Sequence, residues 1–298
     1  MRCRVSQRRF VSAITERRYE TTQEIVMPVR HSTYADLAAT ERSGTDPAAP
    51  AFVLLHGLTF DRRMWEPAIA SLPPRHRVIA FDLPGHGGSP PIAARGLAPV
   101  VDALHGAVAA AGIEAPIVVG HSIGGPIASI YASANPAAGV VSIEAPIRME
   151  RFAGMLRAIA RQLSGPGFDG VWSQLRAGWR MDDVPAAHRE LLRPAGRAAQ
   201  DVVLRYQADI LERPLDEVLR WRDDGMAALA AAGLPYVCLL AREPGPADVA
   251  WLAERVPQAD VVVWPIEHHF PHLARPALFA DLLTEIARRA AVLTPVGV

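Results

Sequence analysis

Gly120-His121-Ser122-Ile123-Gly124 follows directly on the apolar run Ile117-Val118-Val119. A buried strand that breaks into a sharp turn and then enters a helix, here near Gly124-Gly125-Pro126, presents the serine at its tip in a strained backbone conformation. Small residues two places to either side let the chain fold back without a clash. The helix behind the serine aims its free N–H groups and positive end at any oxyanion formed there. The chemistry this suits is nucleophilic catalysis. A serine needs for it a base within hydrogen-bond reach and a group that orients the base.

Histidines appear as His268-His269-Phe270-Pro271-His272, a few residues after Val263-Trp264, where a loop would reach back over the serine. A surface histidine cluster or an adventitious metal site is the competing reading, but neither needs this position. Two carboxylates qualify as the orienting group. Glu144 ends the run Val140–Ile143, and Glu243 lies just past Leu239-Leu240. Both sit where the carboxyl end of a strand is expected, and a solvated loop charge is the alternative for each. His56-Gly57-Leu58 closes the first core strand. Gly57 lets the backbone approach a substrate, and the N–H of Leu58 paired with that of Ile123 would form an oxyanion hole, in which one donor is worth about 3 kcal/mol of barrier. The His56 side chain itself reads as structural. Asp82 to Ser89 carries the glycines of a phosphate cradle but no lysine, and reads as a structural turn.

These residues need a frame. From Ala51 onward, short and almost continuously apolar runs alternate with amphipathic stretches. Strands are expected at 51–55, 77–81, 117–119 and 140–143, with helices at 64–72, 99–111 and 126–134 between them. Such alternation implies a parallel sheet covered by helices on both faces. Between Pro146 and Gly233 the rhythm stops, and helical patterns punctuated by Gly and Pro suggest an inserted lid over 147–232. Its expected helices cover 148–163, 171–180, 187–192, 195–211 and 214–232. Strands resume at 235–240 and 261–264, with helices near 248–255 and 276–289, so the core is expected to comprise 27–146 and 233–298. Residues 24–42 are expected to add an antiparallel edge hairpin.

Composition narrows the function. In 298 residues the 31 basic side chains, all arginine, balance 31 acidic ones, so no nucleic-acid or acidic-surface partner is implied. No apolar run approaches a membrane span. Cys3 and Cys238 are unlike partners for a disulfide and no metal-ligand cluster stands out, so a reducing, cytoplasmic setting without metal or cofactor is expected. Residues 1–26 are arginine-rich and acid-poor like a transit peptide, yet Met27 reads better as the natural start, with a poorly ordered extension before it.

Taken in order, Leu54-Leu55-His56-Gly57, Phe81-Asp82-Leu83-Pro84-Gly85-His86-Gly87, Gly120-His121-Ser122-Ile123-Gly124-Gly125 and His269-Phe270-Pro271-His272-Leu273 resemble the α/β-hydrolase superfamily over residues 27–290. The resemblance implies an α/β-hydrolase fold with Ser122 as nucleophile and His269 as base. His268 stands where Gly is usual, and His272 is implied to support the base without touching substrate. The usual acid is missing, since Leu240-Ala241-Arg242-Glu243-Pro244-Gly245 lacks the customary Gly-x-x-Asp. A subset that includes lactonases similar to zearalenone hydrolase places a Glu after strand six, and Val141-Ser142-Ile143-Glu144-Ala145-Pro146 is similar to that pattern. This puts Glu144 ahead of Glu243. Haloalkane dehalogenases and epoxide hydrolases are disfavoured because their nucleophile is Asp.

The leading expectation is a serine hydrolase of carboxylic esters or lactones, with a small-molecule substrate and room for a homodimer. C–C hydrolysis of β-diketones or ring-cleavage products, or a low-turnover binding protein on the same fold, are the alternatives. Met149, Met155, Trp172 and Trp179 are pocket candidates that would serve equally as lid core. Arg148 and Arg151 would meet an acidic substrate, or simply a solvated helix face.

Overall fold

The computed structural model describes residues 28–195 and 200–293, so the expectation for residues 1–26 lies outside the described residues. Strands β3 (Phe52–Leu55), β4 (Val78–Phe81), β5 (Ile117–His121) and β6 (Gly139–Ile143) are buried on both faces, which is why they read as continuous apolar runs. With β1 (Val29–Tyr34), β2 (Leu37–Arg42), β7 (Tyr236–Leu240) and β8 (Ala259–Val263) they form one eight-stranded sheet of order β1-β2-β4-β3-β5-β6-β7-β8. β1 and β2 form an antiparallel hairpin at its edge, and every pair from β4 through β8 is parallel. The expected α/β class and edge hairpin are both found.

Alternate side chains divide the core. Val53, Leu55, Val118 and Tyr236 pack under α2 (Ala98–Ala110) and α3 (Gly124–Ala134) on one face. Phe52, Leu54, Val119 and Leu239 pack on the other, against α1 (Glu66–Ser71) and α13 (Pro276–Leu293). Burying one such aliphatic or aromatic side chain stabilises the fold by about 1.5–3 kcal/mol. The partly exposed α11 (Pro246–Arg255) and the short α12 (Pro271–Ala274) complete the segment after β7.

Between β6 and β7 the described chain is helical: α4 (Glu150–Ala158), α5 (Ala160–Ser164), α6 (Phe168–Ala177), α7 (Ala186–Arg189), α8 (Gln200–Tyr206), α9 (Ala208–Glu212) and α10 (Leu215–Ala232). Two of the long helices expected here are each broken in two. Ile159 (φ −106°, ψ 11°) separates α4 from α5, and Gln207 (φ −95°, ψ 5°) separates α8 from α9. Residues before and after each break line the same hollow, so the helices bend around a cavity that continuous helices would pass by.

Parallel register places the functional loops on one rim. Leu55 pairs with Gly120, Gly120 with Ser142 and Ile143 with Leu239. The residues just beyond these ends are therefore neighbours, whatever their separation in sequence. Asp82, buried beyond β4, holds the next turn in place. It accepts from the N–H groups of Arg62 (2.8 Å) and Gly88 (2.7 Å) and pairs with the Arg62 guanidinium. The glycine-rich stretch is thus a structural turn.

Four buried histidines couple this frame to pH. Burial pushes His56 down to about 4 and His86 and His272 to about 3, and holds His121 well below its ordinary value of 6.5. His56 is neutral by geometry as well: Nδ1–H donates to Gly57 O (2.8 Å) while Nε2 accepts from Leu83 N–H (2.9 Å). On unfolding, these rings titrate near 6.5. Below that pH the unfolded chain binds more protons, and stability falls by up to about 1.4 kcal/mol per pH unit for each ring until the native values are reached. The urea midpoint is expected to be level above pH 7 and to drop steeply between pH 6.5 and 5. A midpoint unchanged across that window would mean that the rings titrate freely in the native state.

Candidate active site

Ser122 sits between β5 and α3 at φ +53°, the left-handed region that costs a residue with a Cβ about 1–2 kcal/mol. Its N–H donates to Ile143 O (2.8 Å) and its carbonyl accepts from Gly125 N–H (2.9 Å), so the turn is held from both sides. The flanking glycines are a steric requirement. A Cβ on Gly120 would lie 1.9 Å from the Gly124 carbonyl oxygen, and one on Gly124 would lie 2.6 Å from Leu55 O.

His269, in the loop after β8, turns Nδ1 to Glu144 Oε2 at 3.0 Å. Glu144 directly follows β6 and is itself at φ +52°. Its second oxygen, Oε1, accepts the Ala241 N–H at 2.5 Å, and its own N–H donates to Leu239 O at 2.9 Å. With Nδ1 engaged as donor, Nε2 of His269 is the nitrogen left to act as base. That atom is buried and has no hydrogen-bond partner among the described residues. Glu243 lies in the exposed loop after β7 and is not among the residues lining the cavity.

Ser122, His269 and Glu144 open onto a cavity of about 580 Å³ beneath the helical segment. Leu58 and Ile123 line it too, each three residues past a paired strand position, Leu55 and Gly120. Met149, Trp172 and Trp179 are among the residues lining it, as is the exposed Met155. Gly57 does not: it packs against the His121 ring, where a Cβ would lie 2.7 Å from Nδ1, so its smallness serves the histidine behind the site and not a substrate. Arg148 reaches Glu150 (3.7 Å), Arg151 is exposed, and neither lines the cavity.

Several contributors were not legible in the sequence. His121 Nε2–H donates to the carbonyl of His269 at 2.7 Å, fixing the backbone of the loop that carries the ring. Its only signal was its place beside Ser122. Ser129 Oγ and Tyr236 Oη, 2.9 Å apart, line the cavity with Ser142 and the buried Cys238 thiol, which burial pushes up to about 12. Arg222 on α10 lines it as well, paired with Glu150 (3.2 Å) and laid over Trp251 (4.5 Å). Six described residues other than glycine have positive φ; two of them, Ser122 and Glu144, line the cavity, and two more, Thr59 and Arg180, directly follow the lining residues Leu58 and Trp179. Strain is concentrated where groups must be aimed. No group of three or more potential metal ligands occurs among the described residues, and no described helix is long and apolar enough to cross a membrane.

A mostly parallel sheet whose central strand turns into a helix through a left-handed serine, under an inserted helical segment, defines the α/β-hydrolase architecture. A family model described as "Alpha/beta hydrolase family" matches residues 52–282, and the chain belongs to that family. The chain is 36% identical over 135 residues to the magnesium-chelatase 30 kDa subunit of Rhodobacter capsulatus, a match covering 41% of this chain and 48% of that protein. It thus spans about half the length of this curated relative. Among solved structures, a thermophilic esterase from Thermogutta terrifontis superposes with a TM-score of 0.66 at 20% identity, over 88% of this chain and 99% of the other. AqDC, described by its recognition and ring-cleavage of the Pseudomonas quinolone signal, gives 0.70 at 18% identity, over 87% and 99%. At these identities the two structures establish the fold alone.

Proposed function

We propose that the protein is a cofactor-independent serine hydrolase that cleaves a carboxylic ester or lactone through Ser122, His269 and Glu144. The observation that carries this reading is the 3.0 Å contact between His269 Nδ1 and Glu144, which leaves a bare Nε2 in the cavity that Ser122 also lines. His269 Nε2 takes the Ser122 proton as Oγ attacks the carbonyl carbon. The oxyanion is received by the N–H groups of Leu58 and Ile123, and Glu144 stabilises the imidazolium. His269 then returns the proton to the departing alcohol. Water, deprotonated by the same nitrogen, releases the acid from the acyl-enzyme. Glu144 belongs to the pattern with the acid after strand six, and its pairing with His269 supports that subset.

Residues 147–232 act as the lid in this reading, and their side chains make most of an apolar cavity wall. A bulky apolar acyl or alcohol portion suits it. Two observations favour second readings. The Ser129 and Tyr236 hydroxyls, 2.9 Å apart, set polar groups into the otherwise apolar cavity wall, which suits a substrate with two carbonyls such as a β-diketone. The partial likeness to a protein named as a chelatase subunit favours a low-turnover binding role.

Treatment with a fluorophosphonate followed by intact-mass measurement tests the primary reading. A single adduct is expected, mapping to the peptide containing Ser122 and absent from Ser122→Ala. Folded protein that gains no adduct would shift the assignment to the binding role. Esters, lactones and β-diketones assayed side by side then separate the two hydrolytic readings.

A further inference from the structure

We propose that Trp179, which the helical segment brings to the site, is a positioning residue for His269, fixing its backbone and presenting an indole face to the imidazolium formed during turnover. The inference rests on the triad reading above. The His269 N–H donates to the Trp179 carbonyl at 3.1 Å. The two rings lie 16° from parallel with centroids 6.0 Å apart. Trp179 is itself wedged between Phe60 (5.5 Å) and the edge of Trp172 (5.6 Å, 85°), so its indole cannot swing away without displacing its neighbours.

The next residue completes a clasp. Arg180 stands at φ +51°, and its guanidinium bonds Asp183 (2.5 Å) and Glu267 (2.7 Å), the latter two residues ahead of His269. The segment after α6 therefore grips the histidine loop at two points, through a backbone hydrogen bond and an ion pair. A residue in the left-handed region costs stability, so its use here fits a turn that must deliver both groups at once.

Other groups face His269 from every side. Glu144 meets Nδ1 from β6, and the His121 ring approaches from β5 at 4.8 Å and 61°. His268 and His272 flank the ring from its own loop, and Phe270 lies at 5.7 Å. Burial keeps His121 and His272 neutral, so neither adds charge to the ring's surroundings. Glu144 supplies the anion on one nitrogen. The indole supplies a negative π-face to a cation that forms out of bulk water, where such contacts are strongest and tryptophan is the best partner.

The test is the pH dependence of kcat and KM on p-nitrophenyl butyrate for wild type, Trp179→Phe, Trp179→Leu and Glu267→Gln, with thermal melts as folding controls. Trp179→Leu is expected to lower kcat roughly tenfold with KM little changed, and to move the acidic limb of the kcat/KM profile down by about half a pH unit. Trp179→Phe keeps a π-face and should recover most of both. Glu267→Gln, at an exposed position, should fold normally and lower kcat about twofold to threefold by loosening the clasp. A raised KM with kcat and the acidic limb unmoved would overturn the proposal and leave Trp179 as cavity wall alone. Activity that survives His269→Ala would overturn the triad reading itself, a result independent of the Trp179 variants.

Discussion

Replacing Glu144 with glutamine is expected to lower kcat by about 10³- to 10⁴-fold, while Glu243→Gln leaves it within twofold. The reason is local hydrogen bonding. Glu144 Oε1 accepts the Ala241 N–H and Oε2 accepts from His269 Nδ1. In the glutamine variant the amide oxygen is the only acceptor the side chain can offer the Ala241 N–H. The NH₂ group then faces Nδ1 and forces that nitrogen to become the acceptor. The tautomer reverses, Nε2 carries the proton, and no base remains for Ser122. The variant should fold, since side-chain volume and the backbone bond are kept. Steady-state kinetics with a melting curve on each variant checks this. Loss of activity in Glu243→Gln alone, with both proteins folded, would transfer the role to the loop after β7.

Gly120→Ala is the second large effect. The added methyl would fall 1.9 Å from the carbonyl oxygen of Gly124 and 2.1 Å from its carbon. Both are backbone atoms of the turn that carries Ser122, so relief requires moving Ser122 or prising α3 from β5. A destabilisation of about 3 kcal/mol is expected, with loss of fluorophosphonate reactivity even in the fraction that folds. Gly154→Ala is the control. Gly154 lies inside α4 with nothing within 4 Å of its would-be Cβ, and the substitution should stabilise by up to about 1 kcal/mol. Urea titrations of the two variants read the contrast directly. Equal midpoints would mean that the elbow tolerates a side chain and that its glycines are not steric.

The pairing of local pattern with element type made the sheet readable. β3 to β6 are apolar because both faces are covered, and each expected strand there lies within a residue or two of the observed one. The helix breaks at Ile159 and Gln207 were not readable, since neither position carries Pro or Gly. The residues on either side of each break line one cavity, an arrangement that only the tertiary structure shows. Gly57 misled for a related reason: a glycine announces close approach, but its sequence does not say to what, and here the neighbour is the His121 ring.

The amino-acid sequence by itself determined the α/β class, the serine turn with its small flanking residues, and the presence of histidine and carboxylate at strand ends. These follow from periodicities of a few residues and from steric demands within a single turn. That His269 meets Glu144, the carboxylate the strand-six pattern already favoured, and not Glu243 is visible only in the tertiary structure, because both follow parallel strands and only the path of the loop after β8 brings the ring to one of them. The same holds for Trp179, which the sequence offers as pocket wall or lid core and whose carbonyl on the His269 N–H only the tertiary structure shows. Parallel register brings together groups more than a hundred residues apart, and no local pattern encodes that distance.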